Sequence, residues 1–169
     1  MIVDRLGTYE NYKLLLVQCQ ELIESIGWDG SRPYQLSLQV DPKKELTKES
    51  WYDSCGKSGP DSIDQNFNTL HPDLKGTEIE KWIDSFSFPI FRLRLMLRPE
   101  MSCYSIHRDI SKRIHLPLKT NESCLFCFPE ISKMFHLVEG VNYIVDTRIT
   151  HTFINCSYSD RIHLVGCVD

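Results

Sequence analysis

The chain lacks any apolar run able to cross a bilayer. The longest near its start, Leu14 to Val17, has four residues, against the roughly 20 that a membrane helix needs. It lacks the cationic flank and cleavage site of a secretory leader. It lacks a basic excess: the net charge is −4 and the pI about 5.9, which argues against a broad nucleic-acid footprint. Internal repeats and low-complexity segments are absent too. A cytoplasmic protein with neither membrane nor nucleic acid as partner is expected. A second C-x-x-C is also missing beside Cys124-Leu125-Phe126-Cys127. The seven cysteines are odd in number and nothing indicates secretion, so a disulfide scaffold is not expected. Buried free thiols are the reading for this pair, with a redox or metal role as the alternative.

What is present suits one domain of 169 residues, 41% hydrophobic and 25% charged, enough for a sizeable core. Residues 8–26 carry an apolar stripe, Tyr12, Leu15, Leu16, Cys19, Leu22, Ile23 and Ile26, which predicts a helix packed on a sheet and stopped by Gly27. Core packing is favoured over an interaction role. Residues 34–40 alternate as a half-buried strand. A polar loop follows from Asp41 to Leu70, with Gly56, Gly59 and Pro60 in it. Its Trp51 and Tyr52 either contact substrate or anchor the loop. Thr77-Glu78-Ile79-Glu80 has the pattern of a capping box before a helix that runs to about Phe86 and is closed by Pro89.

From Phe91 the pattern changes to short strands. Arg92 to Leu97 alternates cleanly, and further strands are expected near 103–109, 113–118, 123–128, 134–138, 142–147, 149–155 and 161–167. Such a series after a helical start predicts a mainly β fold with flanking helices, a sandwich or jelly roll. Residues 1–90 would support a core formed by 91–169. Arg92, Arg94 and Arg98 share one face, read as a solvated strand face in preference to a path for an anionic substrate.

The chemistry centres on Tyr104 to Pro117. His107 and Asp109 sit two apart, so an extended strand shows both to one side. An imidazole beside a carboxylate is two thirds of the 2-His-1-carboxylate triad that holds non-haem iron(II) with open positions. His151 supplies a distant second histidine. Each histidine taken alone reads as an ordinary strand residue.

Five ordered elements raise the specificity: His107-Arg108-Asp109, Arg113-Ile114-His115-Leu116-Pro117-Leu118, Gly140 to Thr147 (G-x-x-Y-x-x-D-T), His151 to Asn155, and Asp160 to Val165 (D-R-I-H-L-V). Together they cover roughly residues 92–168, and the string resembles the aspartyl/asparaginyl β-hydroxylase family. That family belongs to the Fe(II)/2-oxoglutarate-dependent oxygenases and includes related proline and amino-acid hydroxylases. The resemblance implies a double-stranded β-helix, cupin-like, with the metal in the barrel mouth on His107, Asp109 and His151. It also implies that Arg161 holds 2-oxoglutarate, with Arg113 and His115 on its carboxylates. For the last two the alternatives are a substrate carboxylate or, for His115, a structural role. Burying a dianion is costly without such cations, and arginine meets a carboxylate bidentately. Asn155 orients the ligand strand or touches substrate. His163 is either a support for the site or simple packing, and Ser105 and Met96 are candidate pocket residues.

The activity implied is hydroxylation of an unactivated C–H of an amino acid, free or peptidyl, in the Asp/Asn or proline class. O2 and 2-oxoglutarate would be consumed, and succinate and CO2 released. The other readings are a catalytically silent jelly roll that binds a peptide or small metabolite, and a cupin-type metalloenzyme that does not use 2-oxoglutarate.

Overall fold

The computed structural model describes residues 1–28, 34–56 and 63–169. Gly59 and Pro60 of the long polar loop lie outside the described residues. The elements run β1 (Val3–Thr8), α1 (Tyr12–Ile26), β2 (Gln35–Ser37), β3 (Gln39–Val40), β4 (Thr69–Leu70), α2 (Glu78–Asp84), β5 (Phe91–Arg98), β6 (Ser102–Cys103), β7 (Lys112–Lys119), β8 (Cys124–Phe128), β9 (Lys133–His136), β10 (Val141–Val145), β11 (Thr152–Asn155) and β12 (Arg161–Val168). Two antiparallel sheets face each other. The larger has the order β1-β10-β7-β12-β5-β2 and the smaller β6-β11-β8-β9. This is a double-stranded β-helix, a cupin-like jelly roll with two helices against its larger sheet.

Alternation on three neighbouring strands decides what each face of the larger sheet does. Leu93 and Leu95 of β5, Ile114, Leu116 and Leu118 of β7, and Ile162, Leu164 and Val168 of β12 join Leu15 and Cys19 of α1 and Ile79 and Trp82 of α2 in one apolar core. The residues between them face the other way, into the barrel. A second apolar cluster fills part of that interior, with Phe126, Phe128, Val141, Tyr143, Val145 and Phe153.

The helix read over 8–26 begins at Tyr12, because residues 3–8 are taken by β1, a strand the sequence pattern did not show. β1 pairs along β10 and forms the edge of the larger sheet. The apolar stripe of α1 lies against the core as its spacing requires, and Gly27, at φ 79°, ends the helix with its amide on the Ile23 carbonyl. The strand read over 34–40 is split. β2 pairs with β5 and β3 with β4, so the chain changes sheets at Leu38.

The capping box at Thr77 does not form. The Thr77 hydroxyl donates to the Leu74 carbonyl at 2.6 Å, and Glu80 accepts from the Gly76 amide at 2.6 Å. The preceding turn at 72–74 competes for the same groups. Trp51 and Tyr52 prove to be anchors. Trp51 is buried and stacks on His71 with centroids 3.8 Å apart, and the Tyr52 hydroxyl donates to the Ile26 and Gly27 carbonyls at 3.3 and 3.2 Å.

Candidate active site

A cavity of about 370 Å³ opens between the two sheets, within the range of small-molecule sites. At its mouth the backbones of His107 and His151 form a two-residue antiparallel bridge: each amide donates to the other's carbonyl, at 3.0 and 2.9 Å. The bridge sets the imidazoles side by side, with ring centroids 4.5 Å apart. Asp109 joins them because its amide donates to the Thr147 carbonyl at 2.9 Å and the Thr147 hydroxyl donates to the Ser111 carbonyl at 2.8 Å. The ligand atoms of His107, Asp109 and His151 all lie within 4.8 Å of one another.

The donor set suits a metal in its orientation as well. Nδ1 of His107 is 2.8 Å from the Ser105 carbonyl and Nδ1 of His151 is 2.9 Å from the Ile149 carbonyl. Both rings therefore hold their proton on Nδ1 and leave Nε2 as a lone pair toward the cluster. Metal-binding histidines are oriented by this kind of outer hydrogen bond. His151 is held below its ordinary pKa by burial first and His107 second, so it stays neutral and able to ligate. Asp109 is pulled both ways. Burial raises its pKa, but the Arg113 guanidinium, 3.2 Å away, wins and holds the carboxyl below its usual range. Two histidines and one carboxylate match an iron(II) site with open positions.

Deeper in the cavity lie Arg94, Met96, Arg113, His115 and Arg161, with Tyr104, Ser105, Phe126 and Phe153 opposite. The cations divide into two kinds. Arg92 and Arg113 share Asp64, which accepts from them at 2.9 and 3.2 Å. Burial alone would raise the Asp64 pKa, but Arg113, Arg92 and the Ser111 hydroxyl bring it down to about 2. Arg94 and Arg161 have no carboxylate partner among the described residues. Arg94 donates to the Gln35 side chain at 3.2 Å. Arg161 lies over the Phe153 ring, 4.0 Å from its centroid, and meets Nδ1 of His163. Burial lowers the Arg161 pKa to about 9.

Five buried side-chain nitrogens among the described residues have no hydrogen-bond partner: Nε of Arg94, both ring nitrogens of His115, Nε of Arg161 and Nε2 of His163. The first four belong to cavity-lining residues, and the fifth is on the ring that touches Arg161. Each unmatched buried donor or acceptor costs about 1–3 kcal/mol. His115 and His163 are both held well below the ordinary imidazole pKa, by burial and then by Arg161, so they are neutral. Their concentration in one place marks a cavity shaped for a ligand rich in acceptors and negative charge.

All six residues singled out from the sequence, His107, Asp109, His151, Arg113, His115 and Arg161, thus border one cavity, as do Ser105 and Met96. Asn155 does not. Its amide donates to the Arg98, Pro99 and Ser159 carbonyls at 3.2, 3.0 and 2.9 Å, so it orients the chain between β11 and β12. The solvated face expected for Arg92, Arg94 and Arg98 is a correction. Arg92 and Arg94 are buried, because Ser54 and Asp64 of the polar loop close over Arg92 and Arg94 packs into the cavity wall against Gln35. Asp64 was missed as well, since nothing in a polar loop distinguishes one aspartate from its neighbours. Cys124 and Cys127 occupy opposite faces of β8, the first buried and the second partly exposed, as an offset of three in a strand requires. None of the seven cysteines forms a disulfide.

No family model and no curated protein matches the chain. Solved structures do. The chain is similar to an oxidoreductase of the 2OG-Fe(II) oxygenase family from Burkholderia pseudomallei (TM-score 0.55, 13% identity, 98% of this chain and 83% of that one). It is similar to a non-heme monooxygenase, ThoJ, in a nickel complex (TM-score 0.53, 13% identity, 98% and 72%). It is also similar to the 2OG complex of a viral collagen prolyl hydroxylase from Paramecium Bursaria Chlorella virus-1 (TM-score 0.50, 11% identity, 99% and 97%). At these identities the likeness establishes the fold, which oxygenases of this kind share. Among the described residues no helix is long and apolar enough to cross a membrane.

Proposed function

We propose that the chain is an Fe(II)/2-oxoglutarate-dependent dioxygenase that hydroxylates an amino acid, free or within a peptide, of the Asp/Asn or proline class. One observation carries the reading. A metal-ready His107/Asp109/His151 cluster opens onto a cavity whose unmatched buried nitrogens belong to arginines and histidines. A metal site alone would fit many cupins. The buried, uncompensated Arg161 beside it calls for an anionic cosubstrate. The five sequence motifs support the aspartyl/asparaginyl β-hydroxylase resemblance, and the solved neighbours support the oxygenase class at the level of the fold.

Bound at the triad, iron(II) with 2-oxoglutarate and O2 would supply the oxidation itself, inserting oxygen into a C–H bond as succinate and CO2 leave. The protein's part is binding and exclusion. Arg161 receives a carboxylate deep in the barrel, where Phe153 and the surrounding sheet keep water away. His115 and His163 remain neutral and offer N–H groups. Arg113 is occupied by Asp109 and Asp64, so its first task is to keep the ligand carboxylate ionised and aimed; it borders the cosubstrate with its remaining edge. Arg108, tied to Glu130 at 2.7 Å and Thr150 at 2.5 Å, holds the outer rim.

Equilibrium dialysis with iron(II), followed by calorimetric titration of 2-oxoglutarate, tests this. Wild type should bind one metal and one 2-oxoglutarate. His107→Ala and His151→Ala should lose metal. Arg161→Met should keep metal and lose about 10- to 100-fold in 2-oxoglutarate affinity, the value of a charge-assisted pair. Metal uptake with no 2-oxoglutarate binding would overturn the proposal in favour of a cupin-type metalloprotein.

A further inference from the structure

Arg94 is the feature the reading above leaves unused. It is a buried cation on the cavity wall, and among the described residues it has one unmatched nitrogen and one hydrogen-bond partner, the Gln35 amide oxygen. Strand register separates it from Arg161. Val165 of β12 stands opposite Arg94, whereas Arg161 stands opposite Arg98. The two arginines therefore lie four residues apart along the strands, roughly 13 Å of rise at the usual spacing. Loading the site does not neutralise both. A divalent metal and the four arginines face only Asp64, Asp109 and the two carboxylates of 2-oxoglutarate, so positive charge is left over, and Arg94 has no carboxylate partner among the described residues. Arg94 keeps its charge. The surroundings also differ. Arg161 is enclosed over Phe153, while the guanidinium of Arg94 reaches toward Gln35, whose side-chain oxygen also accepts from the amide of the exposed Gly56 at 3.3 Å. Arg94 thus lies on the β2 side of the cavity wall, apart from Arg161.

We infer that Arg94 is the receptor for a carboxylate of the substrate, so that the enzyme acts on a small molecule bearing a free carboxylate in preference to an internal, neutral peptide residue. The inference rests on the oxygenase reading and narrows it. A buried guanidinium rejects a neutral analogue because binding it would leave the charge dry and unmatched. Arg94 is then a specificity-determining residue, and Gln35 holds the face of its guanidinium.

The test is calorimetric titration of the chain loaded with Mn(II) and 2-oxoglutarate, using pairs that differ by one carboxylate: L-proline and L-prolinamide, L-aspartate and L-asparagine, L-glutamate and L-glutamine. At least one acid should bind about 10- to 100-fold more tightly than its amide. Arg94→Met should abolish that preference while its 2-oxoglutarate affinity stays within about threefold of wild type, well under the loss of one charge-assisted pair. Arg94→Lys should retain part of the preference, which separates lost charge from lost fold. The inference is overturned if no acid is preferred, if Arg94→Met keeps the preference, or if that variant weakens 2-oxoglutarate as much as Arg161→Met does. Failure of the wild type to take up metal and 2-oxoglutarate sinks the oxygenase reading instead. The same pairs titrated into metal-free protein then judge Arg94 directly: a preference lost in Arg94→Met upholds its role as carboxylate receptor, and no preference ends it.

Discussion

Strand β12 turns Ile162, Leu164 and Val168 toward α1 and α2, and Arg161, His163 and Cys167 toward the barrel. Every one of these side chains is buried, yet the two sets follow different physics. The outer set is apolar and complete; its burial stabilises the fold directly at about 25 cal/mol per Å². The inner set carries charge and unmatched donors, and it is held in place by the outer one. Within the inner face there is a second contrast. Arg92 and Arg113 are compensated by Asp64, while Arg94 and Arg161 are not. The comparison separates groups that hold the site from groups that wait for a ligand.

The strongest way to break the contrast is to remove the compensation. Asp64→Asn leaves Arg92 and Arg113 without their shared carboxylate and is expected to cost about 3–5 kcal/mol, the usual result of stripping one partner from a buried ion pair. Chemical denaturation measures it. The acid limb of the stability curve depends on the same carboxylate. The folded pKa of Asp64, about 2, lies below its ordinary 3.8. Its contribution is therefore present above about pH 4 and lost as pH falls toward 2, and the variant should lack that limb. Next is Leu164→Ala on the outer face, expected to cost about 2–5 kcal/mol by opening a cavity in a close-packed core. Its metal affinity should survive wherever the variant is folded.

The inner face should respond to pH in its own way. His115 and His163 are neutral when folded and have folded pKa values below the ordinary 6.5. The unfolded chain binds more protons below that value, so stability falls as pH drops from about 6.5. The loss is about 1 kcal/mol per histidine over the first unit. Thermal melts at pH 6.5 and 5.5 should show it, and His163→Gln should shrink it. The smallest effect on stability sharpens the comparison most. Arg161→Met removes an uncompensated buried charge, so it should leave stability unchanged or raise it by roughly 1 kcal/mol while 2-oxoglutarate binding collapses. A site residue whose loss stabilises the fold is one kept for function.

The sequence disclosed the inner face better than its surroundings. His107, Asp109, His151 and Arg161 were legible from the ordered motifs; the strand expected near 103–109 is only Ser102–Cys103 with an isolated bridge at His107, so Asp109 reaches the histidines through Thr147 and not by strand alternation. The eight-strand core from Phe91 onward was legible from strand alternation. What stayed hidden depended on distant partners. Arg94 reads as solvated until Gln35 and the cavity wall enclose it. Asp64 is one acid in a polar loop until Arg92 and Arg113 close on it. β1 has too weak an alternation to be seen without β10 beside it. The capping pattern at Thr77 lost to a local turn that used the same groups. Apart from the capping pattern, each miss arose where a long-range contact, absent from any short window, decided the outcome.

The most direct test of the central claim is anaerobic visible spectroscopy of the chain with iron(II) and 2-oxoglutarate. The account predicts a metal-to-cosubstrate charge-transfer band in wild type, lost in His107→Ala and requiring more 2-oxoglutarate in Arg161→Met. Bound iron with no band at saturating 2-oxoglutarate would contradict it.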